Sequence, residues 1–195
     1  MTKLNEELGI VPPINQPHLF GYDEHFHSFI ELYKKNKLPN IILLSGPKGL
    51  GKSTISYHFI NYILSINEAN NYSIKDFCIN KDNKSYKNLC AGIHPNFFLI
   101  ENLDQTENIK IELIRNVLKF LNKTTYSSDI KIVLIDNAEF LNLNSSNALL
   151  KVLEEPTKNT FFFIVHNSNY KILNTIKSRC IQFNFFFSLE KKKKF

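Results

Sequence analysis

At 195 residues the chain is long enough for one sizeable domain, and 43% hydrophobic with 22% charged residues excludes disordered and fibrous classes. The net charge of +6 permits nucleic-acid binding, but the lysine run at 191–194 supplies four of those charges, so a solvated basic tail explains the excess better than a specific patch. Three scattered cysteines (Cys78, Cys90, Cys180) and an N-terminus with no apolar segment point to a reducing compartment, the cytoplasm by default, and no apolar run is long enough to span a membrane.

Residues 1–17 are polar and proline-rich (Pro12, Pro13, Pro17) and read as an extended arm. Phe26, Phe29, Ile30 and Tyr33 recur at helical spacing and predict a helix over 23–37. The apolar run 41–45 ends at a glycine loop, which predicts a buried strand, and 52–66 follows as a helix. The polar stretch 67–92 has no period and is expected to be irregular. A second strand is predicted over 97–101. Ile111, Ile114, Val117, Leu118 and Leu121 then set a helix over 109–122. A third strand covers 131–135, a helix covers 145–155 and stops at Pro156, and a fourth strand covers 161–165. A short helix over 172–177 and a fifth strand over 181–185 complete the pattern. Strands that are apolar throughout and alternate with helices imply an α/β fold, with a five-stranded parallel sheet between helices. With 17 Phe, 8 Tyr and no Trp, phenyl rings are expected to fill much of the core.

The segment GPKGLGKST at 46–54 fits GxxxxGK[ST] between a predicted strand and a predicted helix. Its residues Gly46, Pro47, Lys48, Gly49, Leu50, Gly51, Lys52, Ser53 and Thr54 form the candidate nucleotide-binding loop. The three glycines let the backbone curl so that successive N–H groups face phosphate oxygens. The helix starting near Lys52 adds its positive end. Lys52 can reach the β- and γ-phosphates as a point charge, and the Ser53 hydroxyl can ligate Mg²⁺. A glycine turn without a ligand is the bland alternative, and the agreement of pattern with context weighs against it.

IKIVLIDNAEF sets Asp136 at the carboxyl end of an apolar strand, where ligands collect in open parallel sheets. Asp136 either holds Mg²⁺ with the loop or only caps the following turn, and its pairing with 46–54 favours the metal. Next comes Asn137, whose amide cannot serve as a carboxylate base. Glu139 lies farther along and is expected to point elsewhere. Hydrolysis is therefore expected to be weak even where ATP binds.

NALLKVLEEP at 147–156 reads as an amphipathic helix, with Ala148, Leu149, Val152 and Leu153 apolar and Lys151 and Glu155 at i,i+4. In its letters and its position after Asp136 it resembles closely a helix of bacterial clamp-loader subunits. TIKSRCIQF at 175–183 carries the SRC typical of the same family. The resemblance implies an AAA+ P-loop domain. It also implies that Arg179 is an arginine finger acting in trans on a neighbour's ATP, where a guanidinium neutralises charge on the transferring phosphoryl group; for an arbitrary arginine a surface ion pair is the alternative. At the end of FFFIVHN the family carries a phosphate-sensing polar residue, a place taken here by His166 or Asn167, with Asn167 the candidate. A strand-end side chain that satisfies backbone groups is the equal alternative.

Within that family the chain is most similar to delta-prime. Asn137 replaces the glutamate of motor subunits, HPNFFLIE at 94–101 resembles the delta-prime HPD segment, and 19–66 is similar throughout. Many such relatives carry four zinc-binding cysteines ahead of the HP segment. Cys78 and Cys90 are too far apart for a CxxC knuckle, so free thiols and no zinc are expected. The resemblance, over 18–185, implies a stator and assembly subunit of the DNA polymerase III holoenzyme in DNA replication. It would bind ATP with Mg²⁺ weakly or without efficient turnover. Its partners would be the gamma/tau motor subunits and the delta subunit, with the sliding clamp and primed DNA reached through the assembly, and no membrane. The AAA+ domain is expected over 18–187, with 188–195 a basic tail or the truncated start of the family's helical lid, and the lid and collar missing. Two functions compete. A self-sufficient gamma/tau-type ATPase would need Glu139 as its water-positioning carboxylate. A small-molecule P-loop kinase is disfavoured because Arg115 and Arg179 are too few for an arginine-rich lid.

Overall fold

In the computed structural model, which describes residues 11–102, 108–123, 130–154, 156 and 159–186, the chain forms two compact units. One takes the described residues up to Leu38 together with Ser53–His94; the other takes Pro39–Lys52 and the described residues from Pro95 onward.

The first unit is helical. Helix α1 (Asp23–Lys34) opens with Asp23 and Glu24 and has Lys34 in its last turn, charges that complement the helix dipole. It buries Phe26, Phe29 and Ile30 and ends just before Asn36, whose φ of 53° is left-handed, so it stops short of the predicted residue 37. Helix α2 (Lys52–Ser65) brings Phe59 to 5.9 Å from the Phe26 ring, edge-on, and to 5.2 Å from that of Phe29. Tyr62 stacks on Phe59. The expected phenyl core is therefore found here.

Helix α3 (Lys84–Cys90) lies in the stretch expected to be irregular. Its seven residues are too few to display a period, and capping side chains hold it instead. The Asn83 side chain accepts from Tyr86 N at 2.5 Å, and Asn83 and Asn61 exchange amide hydrogen bonds at 3.2 and 3.3 Å. Two carboxylate oxygens of Glu68 accept from Lys84 N at 2.7 Å and Ser85 N at 3.0 Å, satisfying donors that a first helical turn leaves open. Nor is the described part of the N-terminal arm simply extended. Pro13–Asn15 is a 3₁₀ turn, Pro17 O accepts from Ile79 N at 2.8 Å, and Leu19 N donates to Phe77 O at 2.9 Å, which ties the segment into this unit. Residues 1–10 lie outside the described residues.

The second unit is built on the expected sheet. Its strands are β1 (Ile41–Gly46), β2 (Phe97–Ile100), β3 (Lys131–Ile135), β4 (Thr160–Asn167) and β5 (Ile181–Asn184), in the order β2-β3-β4-β1-β5, with every pairing parallel. β1 and β3 are buried at every position, as parallel strands covered on both faces require. Helices α4 (Ile111–Leu121) and α5 (Leu143–Glu154) pack Ile114, Val117, Leu149 and Val152 into a cluster with Leu43, Val133 and Ile164. α5 starts two residues ahead of its predicted position, because Asn142 Oδ1 accepts from Ser145 N at 2.9 Å and caps the turn. Lys131, buried at the start of β3, donates to the carbonyls of Leu121 and Lys123 at the end of α4. α6 (Asn174–Lys177) is shorter than predicted, and the largely exposed edge strand β5 continues one residue further in effect, since Phe185 N donates to Ser45 O at 2.8 Å. Among the described residues no helix is long and apolar enough to cross a membrane.

Candidate nucleotide site at the strand tips

All strands being parallel, their carboxyl ends share one edge, and the strand order sets the tips of β3, β4 and β1 side by side. Gly46, the last residue of β1, is in register with Asn167, the last of β4. A Cβ on Gly46 would lie 2.5 Å from Phe185 O, so the close approach of the chain after β5 demands glycine. Gly49 and Gly51 have φ of 85° and 70°. A Cβ on Gly49 would meet nothing within 4 Å; there the backbone, not lack of room, calls for glycine. Leu50 is buried and Lys48 exposed. Ser53 and Thr54 follow in the first turn of α2, within the other compact unit.

Lys52 is only 6% exposed, and its ammonium donates to Gly46 O at 2.8 Å and Pro47 O at 2.6 Å. Burial pulls its pKa below the ordinary lysine range, opposed by the carboxylates of Glu139 and, after it, Asp136. Asp136, directly after β3, is half-buried; its N donates to Ile100 O at 2.8 Å, and its Oδ1 accepts from Asn137 N at 2.9 Å. Glu101, just past β2, has its pKa raised by lost hydration and then by the Asp136 carboxylate.

Glu139 does not point elsewhere. Asn137 is left-handed (φ 58°), the chain doubles back into a 3₁₀ turn at Ala138–Phe140, and Glu139 Oε2 accepts from Asn167 N at 3.0 Å. The carboxylate therefore joins the tips of β3 and β4. Spacing alone concealed this. The available signal was an asparagine directly after a strand-ending aspartate, since asparagine tolerates the left-handed region better than most residues.

At the β4 tip, His166 Nε2 lies 3.1 Å from Tyr170 O and Nδ1 lies 3.1 Å from Ser45 Oγ. A carbonyl only accepts, so Nε2 carries the proton and Nδ1 accepts from the serine hydroxyl. Burial lowers the pKa of this histidine, against an opposing pull from Glu139, and keeps it neutral. Asn167 Oδ1 accepts from Asn169 N at 3.1 Å, so both tip residues make the contacts of the backbone-satisfying alternative. Arg179, just after α6, is exposed; it donates to Thr175 O at 3.0 Å and to Glu154 Oε1 at 3.1 Å. Its hydrogen bonds thus go to neighbours on its own surface and not to the strand-tip groups. Cys78, Cys90 and Cys180 carry free thiols.

Chemically, the edge combines a glycine curl and a buried cation suited to anionic oxygens with a carboxylate at Asp136 suited to a hard divalent cation.

A family model described as DNA polymerase III, delta subunit, matches residues 21–187. The delta' subunit of DNA polymerase III from Pseudomonas aeruginosa is 34% identical over 140 residues, covering 72% of this chain and 41% of its own. The gamma subunit from Buchnera aphidicola subsp. Schizaphis graminum is 31% identical over 151 residues, covering 77% and 39%. Among solved structures, a gamma-subunit-related protein from Thermotoga maritima superposes with a TM-score of 0.59 at 22% identity, over 85% of this chain and 48% of its own, a likeness of fold. The chain spans less than half the length of these curated relatives.

Proposed function

Because this chain belongs to the DNA polymerase III delta-subunit family, we propose that it is a clamp-loader subunit, one that holds a nucleoside triphosphate at 46–54 with little turnover and lends Arg179 to a neighbouring subunit. The observation that carries the reading is the position of Lys52: its ammonium is buried at the end of β1, bonded to loop carbonyls, beside the strand end that bears Asp136.

The positive φ of Gly49 and Gly51 and the buried Lys52 ammonium support a loop suited to the phosphates of ATP. Asp136, in the same unit as the loop carbonyls and Lys52, is the carboxylate that would hold its Mg²⁺. That ion supplies neutralisation of phosphate charge when bound. Weak turnover is supported by Asn137, whose amide cannot take a proton from water. The exposed Arg179 is tethered by Glu154, and exchanging such a surface ion pair for a neighbour's phosphate costs little. Within the assembly the subunit works beside the gamma/tau motors and the delta subunit, placing the sliding clamp on primed DNA. Residence in the cytoplasm belongs to the same reading, on the free thiols.

Assembled loader containing the Arg179→Ala variant is expected to lose at least about tenfold of the ATPase at the site this arginine completes, while Lys52→Ala changes the assembly's ATPase little. The reverse pattern overturns the stator role. One observation favours a second reading, a self-sufficient motor: the Glu139 carboxylate at the β4 tip. ATP turnover by the purified chain, abolished in Glu139→Gln, is what that reading requires.

A further inference from the structure

We propose that Glu154 is a positioning residue for Arg179: it orders the guanidinium on the subunit's surface, in the pose from which a neighbour's phosphate takes it over. The inference rests on the reading of Arg179 as a finger lent to a neighbouring subunit, and adds the residue that presets it.

An exposed arginine has a long stem free to rotate, and a finger must lose that freedom each time it engages. Here the freedom is removed in stages, within one compact unit. The backbone is pinned first. Arg179 N donates to Ile176 O at 3.1 Å, and Ile176 is fully buried. Cys180, half-buried, packs against the same core cluster, and its thiol donates to Ile176 O at 3.1 Å. The Ser178 hydroxyl donates to Thr175 O at 3.1 Å and tightens the turn. The guanidinium is then held at two nitrogens. Nη1 donates to Thr175 O at 3.0 Å, and Nη2 donates to Glu154 Oε1 at 3.1 Å. Acceptors on two different nitrogens set the plane of a rigid fork, which one acceptor does not, and they leave its other N–H groups to phosphate oxygens. Glu154 has a firm support of its own: it is the last residue of α5, directly after the buried Val152 and Leu153. A carboxylate so placed could order the finger or obstruct it, and magnitudes decide between the two. The Arg179 and Glu154 side chains are 35% and 54% exposed, so giving up their ion pair costs little. Ordering a long arginine stem costs more. Preorganisation therefore wins, and loss of the carboxylate lowers the rate at the neighbour's site.

The experiment measures ATPase of the assembled loader against ATP concentration, at the site Arg179 completes. The loader is built in turn with wild-type, Glu154→Ala, Glu154→Gln, Arg179→Ala and doubly substituted Glu154→Ala/Arg179→Ala subunits. Glu154→Ala is expected to lower kcat by about threefold with KM unchanged. Glu154→Gln, which keeps an acceptor for Nη2, is expected to recover most of that loss, and a glutamine variant as impaired as alanine overturns the proposal. In the Arg179→Ala background, Glu154→Ala is expected to change nothing, because the carboxylate acts only through the arginine. A further loss in the double variant would place the action of Glu154 elsewhere and overturn the proposal. If Glu154→Ala matches or exceeds wild type while Arg179→Ala is impaired, the positioning role is refuted and the finger stands. Should Arg179→Ala be as active as wild type, the finger reading fails and takes the proposal with it. Glu154→Ser, which also removes the long carboxylate, gives the same test if the alanine variant does not fold.

Discussion

Of the two compact units, the sheet unit buries an almost unbroken layer of Ile, Leu, Val and Phe along β1, β3 and β4, whereas the helical unit closes its aromatic cluster with hydrogen-bonded polar side chains. In the helical unit His58 is fully buried, its Nε2 donating to Gln16 O at 3.0 Å and its Nδ1 accepting from the Tyr72 hydroxyl at 2.9 Å. Asn61 and Asn83 are buried as a mutual pair. The lesson is that the same chain relies on non-directional burial in one place and on directional bonds in another. The two respond to different perturbations: the first to lost volume, the second to lost partners and to protons.

The largest effect is expected from volume in the sheet. Phe163→Ala, at a site with no exposure, should destabilise the protein by roughly 3–5 kcal/mol in urea unfolding. A loss under about 1 kcal/mol would show that the sheet does not depend on its filling. Acid should strike the other unit first. Burial pushes the His58 pKa from 6.5 down to about 4, so the folded state keeps the ring neutral while the unfolded chain takes up a proton between those values. Stability from this group is full above pH 6.5, falls as pH drops through the window, and is lost by about pH 4. The amount is about 3 kcal/mol. His94, also pushed to about 4 by burial, acts in the same direction. The urea midpoint of His58→Gln should be flatter with pH than that of wild type; parallel profiles would reject the assignment. The smallest effect is expected at the cap. Asn83→Ala should cost about 1–2 kcal/mol, with hydrogen exchange rising mainly in α3, and exchange spread evenly over the sheet would mean that the two modes of stabilisation are not separable.

That contrast also explains what the amino-acid order revealed. β1, β3 and β4 were legible because strands buried on both faces must be apolar without interruption, and α4 because one of its faces meets the sheet. α3 was not, since its start is fixed by Glu68 and Asn61, far away in sequence, and long-range hydrogen bonds leave no periodicity. The strand–loop–helix setting of Lys52 followed from a local pattern. The whereabouts of Glu139 did not, because they depend on the φ of one residue, Asn137. Arg179 was singled out by family resemblance alone; composition and spacing say nothing of it.

The handedness of Asn137 has a consequence for substitution. The residue directly after Asp136 is Asn137, and one substitution there would add a carboxylate next to it. That residue has a backbone conformation which asparagine accepts more readily than glutamate does, so Asn137→Glu carries a conformational penalty of about 1 kcal/mol or more. Exchanging the side chain without rebuilding the turn leaves the new carboxylate on a disfavoured backbone.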